Sequence, residues 1–228
     1  MIFEDSGAAW WYKCKIEKNN YFPLVITINK PFDKLTKDEA KDYFEWFVNH
    51  VDERANYIRQ LASEDLCVPI DVLDYSPESL IVLWRWFLNV AEISKTPSKV
   101  LKSIRQELKA NNEPKEFIED MIREHRAELS IFTKYLVRDI GMYVGKTLIM
   151  NNESLRWDYH TNTKKDSFAN IPQIFGFFHT DYNPPFEMQF DPIHFTEMQA
   201  SNLLYDTQNE DDLYNVYKRW EKWIPKKW

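Results

Sequence analysis

Three side chains with usable chemistry, Asp139, Tyr143 and Lys146, fall in one stretch, Arg138 to Asp158 (RDIGMYVGKTLIMNNESLRWD), which holds Trp157 next to its end and is followed at once by Tyr159. A carboxylate, a phenol and an ammonium beside two aromatic rings are the parts of a site for a small polar molecule or a sugar. The polar groups fix hydroxyls by hydrogen bonds, and the ring faces cover apolar surface. Asp139 and Tyr143 are four residues apart, so on a helix they share a face. The competing expectation for Arg138, Asp139 and Lys146 is a solvated helix edge, because charged side chains are mostly exposed.

Other constellations are weaker. His125 and Glu128 are three apart, but a metal or an acid/base pair needs more converging groups. The five histidines, at 50, 125, 160, 179 and 194, form no HExxH. His160 and His179 fall on two proposed strands and become neighbours only if the register allows. Cys14 and Cys67 stand in unrelated contexts with no CxxC, which argues against zinc. There is no GxGxxG, no Walker Lys-Ser/Thr pair and no GxSxG elbow, so neither phosphate cradle nor nucleophile elbow is present. No metal, cofactor or catalytic set is expected. Trp84 and Trp86 point to different helix faces and serve separate packing roles. Trp220, Trp223 and Trp228 lie near a basic, aromatic C-terminus.

The elements that must position these groups begin with the glycines. Gly141 and Gly145, two of only four in the chain, lie four apart in an apolar helical pattern. Each costs a helix interior roughly 1 kcal/mol relative to alanine, so the spacing points to a close backbone approach against a sheet or another helix. That helix spans Leu129 to Met150. Alternation at Leu155, Trp157 and Tyr159 then marks a strand, which pairs across the turn Asn162 to Asp166 with a second strand, Ile171 to His179.

Earlier in the chain, Leu24 to Ile28 reads as a strand. Thr36 and Glu39 form a capping box, opening a helix with apolar residues from Ala40 to Leu61 at spacings of three and four. Ser76 and Pro77 are a cap and a first helical residue, and the helix to about Ile93 is apolar most of the way round, which places it near the centre. Ser98–Lys109 and Pro114–Arg126 read as further helices. Asp191-Pro192 opens one to about Tyr205, and Asp211 or Asp212 caps the last. The fold class is α+β: a predominantly helical single domain over 1–228 with a small antiparallel sheet.

Composition narrows the function classes. The 228 residues carry a net charge of −7 and are 16% aromatic. A polyanion partner needs clustered cations, so nucleic acid is not expected. No apolar run approaches the ~20 residues of a membrane span, and the start lacks a leader pattern. These features fit a cytoplasmic protein.

The landmarks Asp74-Tyr-Ser-Pro-Glu-Ser-Leu80-Ile-Val-Leu-Trp84, Arg138-Asp-Ile-Gly-Met-Tyr-Val-Gly145, Trp157, Asn170-Ile-Pro172 and Gly176-Phe177 together resemble a group of uncharacterised bacterial proteins, mostly from Gram-positive species. The resemblance covers roughly residues 70 to 180 and implies no activity. The group's pattern carries Glu after the second glycine, where this chain has Lys146. Similar acidic single-domain proteins include toxin-immunity proteins. Two functions follow as expectations. The first is a non-catalytic protein-binding module of immunity or regulatory type, whose aromatic anchors ringed by acid suit a basic partner. The second is a small-molecule or carbohydrate-binding protein or enzyme, with Asp139, Tyr143, Lys146, Trp157 and Tyr159 lining a pocket between the glycine helix and the Trp157 strand.

Overall fold

The computed structural model describes residues 21–24, 28, 30–161 and 168–225. Most of the Leu24–Ile28 segment, Cys14, the turn 162–166 and Trp228 lie outside them. Among the described residues the chain makes seven α-helices: α1 (Lys37–Leu66), α2 (Ser79–Val90), α3 (Ser98–Ala110), α4 (Lys115–Glu124), α5 (Ile131–Asn151), α6 (Pro192–Ser201) and α7 (Asp212–Glu221). Strands β1 (Ile93–Lys95) and β2 (Ala127–Leu129) form a two-stranded ribbon. Strands β3 (Arg156–Asp158), β4 (Gln173–His179) and β5 (Phe186–Phe190) form an antiparallel sheet in the order β3-β4-β5. This is the helix-rich α+β class that the sequence predicts.

Helix α5 is the axis of the molecule. Ser130 caps it by accepting from the Thr133 amide at 3.1 Å, and fifteen of its 21 residues are buried. A helix buried on every side shows no apolar stripe, which is why its pattern reads as apolar all round. Its most extensive packing is against α1 and α6. The glycines make that packing possible. A Cβ on Gly141 would stand 2.7 Å from the Ile193 Cα at the start of α6, and one on Gly145 would stand 2.7 Å from Cη2 of Trp157. Gly145 therefore seats α5 on the Trp157 strand, and Gly141 seats it on a helix rather than on the hairpin.

The caps are local. Thr36 Oγ1 accepts from the Glu39 amide at 3.3 Å, and Glu39 Oε2 accepts from the Thr36 amide at 2.7 Å, which closes the box that starts α1. Ser76 Oγ accepts from the Ser79 amide at 3.3 Å. Here Ser76 to Glu78 make a tight turn of i→i+3 bonds, so α2 opens at Ser79, two residues later than expected. It also closes at Val90. Ile93, read as its end, is instead a ribbon strand paired with Leu129. A three-residue strand holds too few residues to display alternation.

The pairing of β3 with β4 is antiparallel, with Trp157 opposite Ile174. Gly176, at φ 109°, sits where the β4–β5 register shifts, and a side chain there would meet the Ser154 carbonyl. Strand β5 went unread, because Pro184-Pro185 precedes it and the helix start at Asp191 follows it directly. The Phe178 amide, beyond the reach of β3, donates to the Trp223 carbonyl at 2.8 Å and ties the chain after α7 to the sheet.

Candidate functional site

Asp139 is fully buried, and so, nearly, is Arg138. The solvated edge expected for them does not exist, because α5 has no solvent face at that level. Asp139 Oδ2 accepts from Tyr21 Oη at 2.6 Å and from Arg54 Nε and Nη2 at 3.2 and 2.5 Å. Arg54 Nη2 also donates to the Phe22 carbonyl at 2.8 Å, and the Phe22 amide donates to Tyr57 Oη at 2.6 Å. The Arg54 guanidinium lies 4.5 Å from the centre of the Tyr57 ring. Arg138 Nε stands 3.5 Å from Asp139 Oδ1, yet Nε, Nη2 and Oδ1 make no hydrogen bond among the described residues. Two guanidiniums thus share one buried carboxylate.

Burial raises the Tyr21 hydroxyl well above its ordinary pKa, and the Asp139 charge raises it further. Tyr21 therefore stays protonated and donating. For Arg54, burial works against the charge, but the Asp139 carboxylate outweighs it and the pKa rises. Chemically the cluster is a clasp: it ties residues 21–22 to α1 and α5 through a charge that water does not reach.

Tyr143 turns to different partners. It receives the Tyr75 amide at 3.2 Å and lies 2.8 Å from Ser79 Oγ. Ser79 gives its own hydrogen to the Ser76 carbonyl, so Tyr143 is the donor. Burial raises the Tyr143 pKa, and the bond from the Tyr75 amide partly offsets this. Its ring stacks on Tyr75, with centroids 4.6 Å apart. Lys146 comes to the same ring, 4.6 Å from its centre, and pairs with Asp52 of α1 at 2.9 Å. Lys146 thus lies between an acid and a ring face.

Trp157 and Tyr159 meet α1. The Trp157 ring covers Gly145 and packs edge-on against Phe47, with centroids 5.1 Å apart. Tyr159 lies against Phe44 at 4.8 Å. The five proposed residues therefore serve three places: Asp139 the clasp, Tyr143 and Lys146 the Tyr75 ring, Trp157 and Tyr159 the α1 face. Asp139 and Tyr143 share a face and yet bond to different segments. His160 and His179 also stay apart, since the register puts one beyond β3 and the other at the far end of β4. Arg54 was missed, although a cation three residues after Val51 and four before Ile58 breaks an otherwise apolar stripe, and that was a readable signal.

A second group of side chains lies at the tip of the β4–β5 hairpin. The His179 ring stands 4.2 Å from Trp223, 4.8 Å from Tyr182 and 5.5 Å from Phe186, and Tyr182 and Phe186 are 5.3 Å apart. Tyr182 is 59% exposed and Phe186 47%. Asp181, its side chain open to water, reaches to 4.0 Å from His179 Nδ1, and Glu187 pairs with Arg156 at 3.4 Å. This patch joins exposed aromatic rings to an acidic side chain. It was not foreseen, because His179, Tyr182, Phe186 and Trp223 are gathered only by the hairpin and the Phe178–Trp223 tie.

Among the described residues no three His, Cys, Asp or Glu side chains are placed to hold a metal ion, and no helix is long and apolar enough to cross a membrane. Compared with protein-family models, curated proteins and solved structures, the chain matches none.

Proposed function

We propose that this protein is a non-catalytic, cytoplasmic protein-binding module of immunity or regulatory type, which takes a basic partner on the aromatic patch at the β4–β5 tip. The observation that carries the reading is the pair Tyr182 and Phe186, two large rings about half open to water, the first edge-on to His179 and the second stacked on it, with Asp181 beside them. Aromatic residues with exposed faces and a braced underside are the commonest anchors of protein interfaces. Asp181, its carboxylate open to water, favours a cation in the partner and speeds its approach. The net charge of −7 acts in the same direction at longer range.

The other expectation, a small-molecule or carbohydrate pocket between α5 and the Trp157 strand, draws no support from the packing. The bare face of Gly145 is filled by the Trp157 ring, and that of Gly141 by Ile193.

The test is affinity capture from the native host, followed by calorimetry with the recovered protein. The expected partner is basic and binds saturably, more weakly at higher salt. The double variant Tyr182→Ser/Phe186→Ser should weaken it by at least about tenfold, as anchor residues do. An affinity unchanged in that variant, or no saturable partner at all, overturns the reading.

A further inference from the structure

Strand β5 is the last strand of its sheet, and among the described residues β4 is the only strand paired with it. The register tells which way its backbone groups point. In an antiparallel pair, residues directly opposite either exchange both hydrogen bonds or turn both sets of groups away from each other. The Phe178 amide donates to the Trp223 carbonyl, so it points away from β5. Its opposite number, Glu187, therefore points away from β4. Phe186 and Met188, one step to either side, point inward to His179 and Phe177. Between Met188 and Phe190 the extra residue of the register shift lies on β4, so β5 keeps its alternation and Gln189 points outward again.

The outer edge of β5 thus carries the N–H and C=O groups of Glu187 and Gln189. Among the described residues none of these groups has a backbone partner. Gln189 is exposed and Glu187 half-buried. The edge is short and closed at both ends. Pro185 has no N–H to give, and Asp191 turns the chain into α6, its side chain accepting from the Ile193 and His194 amides at 3.0 Å. An open row of this kind is a template for another strand, and its length suits one short segment rather than a whole sheet.

The edge begins at the aromatic patch. Phe186 is its first residue, and Met188 projects on the same face of the sheet, with Glu187 and Gln189 on the other. Asp181 stands at the Phe186 end, beside His179, which is the residue opposite Phe186. Arg156 already holds Glu187, so Asp181 is the carboxylate left for a cation.

We propose that the basic partner enters as an extended segment and adds a strand to this sheet outside β5. The inference rests on the partner-binding reading of the aromatic patch and gives that partner a shape. Outward donors and acceptors at every second residue match an extended backbone, and such main-chain bonds supply the affinity in strand addition. Side-chain choice follows from the alternation. Residues of the segment on the Phe186–Met188 side meet a ring and a thioether and are apolar. The residues between them lie on the Gln189 side and are polar, and a cation falls at the end beside Asp181.

Amide exchange of the full chain, read residue by residue by NMR, tests it. The probe is a blocked peptide of alternating valine and lysine, as long as β5. In the free chain the Glu187 and Gln189 amides should exchange fast and the Met188 amide slowly. Saturating peptide should slow the first two by at least about tenfold. The same peptide with every backbone amide methylated keeps its charge but cannot donate, and should bind at least about fivefold more weakly, as for lost hydrogen bonds. Gln189→Pro removes an outward N–H that β4 does not use and should weaken the plain peptide by a similar factor. Equal binding of the plain and methylated peptides overturns strand addition and leaves the aromatic patch as the partner's site. No saturable binding of the plain peptide at millimolar concentration overturns it as well. So do Glu187 and Gln189 amides that are already slow in the free chain, since a second copy or another part of the chain would then cover the edge. Undiminished affinity in Tyr182→Ser/Phe186→Ser, with both amides still slowed, supports strand addition and removes the patch from the partner's site.

Discussion

Helices α5 and α3 show what the same kind of interaction is worth in two settings. In α5 fifteen of 21 residues are buried, and in α3 none of 13 is. Each helix contributes to an arginine–carboxylate contact: Asp139 of α5 receives Arg54, and Arg105 of α3 reaches Glu119. The first is sealed from water and the second is open to it. Removing one member of a sealed pair strands a charge where nothing solvates it, whereas an exposed pair exchanges one set of water contacts for another. Helix α5 keeps two glycines because packing against Trp157 and Ile193 outweighs their local cost. Helix α3 has no such packing and depends on local propensity and on its neighbour α4.

The largest expected effect tests this difference directly. Asp139→Asn should lower unfolding stability by about 3–5 kcal/mol, read by urea denaturation, because Arg54 and Arg138 lose their shared counter-charge. Arg105→Ala should cost less than about 1 kcal/mol in the same assay. Equal losses would mean that burial does not separate the two pairs.

Next comes Gly145→Ala. Its new methyl would collide with the Trp157 ring, so a loss of about 1–3 kcal/mol is expected for an overpacked core, with a shift in tryptophan emission. On the exposed face of α3, Ser103→Ala should instead gain a few tenths of a kcal/mol from helix propensity. Opposite signs sharpen the comparison, and a gain at Gly145 would break it.

Hydrogen exchange gives a finer reading. Amides of α3 and α4 should exchange through local opening well before those of α5, which should follow global unfolding. Protection in α3 equal to that in α5 would show α3 and α4 to be part of one cooperative unit with α5.

The smallest effect is at the start of α1. The bond from Lys30, then those from Thr36, hold the Glu39 carboxyl down at about 2 from its ordinary 4.5. A carboxyl with a depressed folded-state pKa contributes its stability above its unfolded value and loses it as pH falls through the folded one. The capping box should therefore be intact above about pH 4.5 and release the Thr36 amide as pH falls toward 2, visible as a shift of that amide in NMR spectra. A shift centred near 4.5 would show that Glu39 gains nothing from its partners.

How far the chain could be read follows from the range of each signal. The box at Thr36 and Glu39 is complete within four residues, and so it appears as written. The glycine spacing announced a close approach, but Gly141 meets α6 rather than the hairpin, since nothing near Gly141 names a partner some fifty positions away. Asp139 looked like surface because charged residues usually are. Its burial depends on Arg54 and Tyr21, which α1 and the preceding segment bring from 85 and 118 residues away. The ribbon strands are too short for any pattern, and the β4–β5 patch needs four rings from two distant segments.

The amino-acid order alone thus determined where most helices lie, the capping box of α1, the pairing of β3 with β4 and the need for bare backbone on α5, whereas Asp211, expected to cap α7, makes no side-chain cap bond. These depend on neighbours within a few residues, where spacing and chemistry suffice. Only the tertiary structure decided which charges water reaches, which ring covers which glycine, and that α3 and α4 stand apart from the core. Those outcomes are set by the surroundings of a side chain, and its surroundings come from parts of the chain that no local pattern connects.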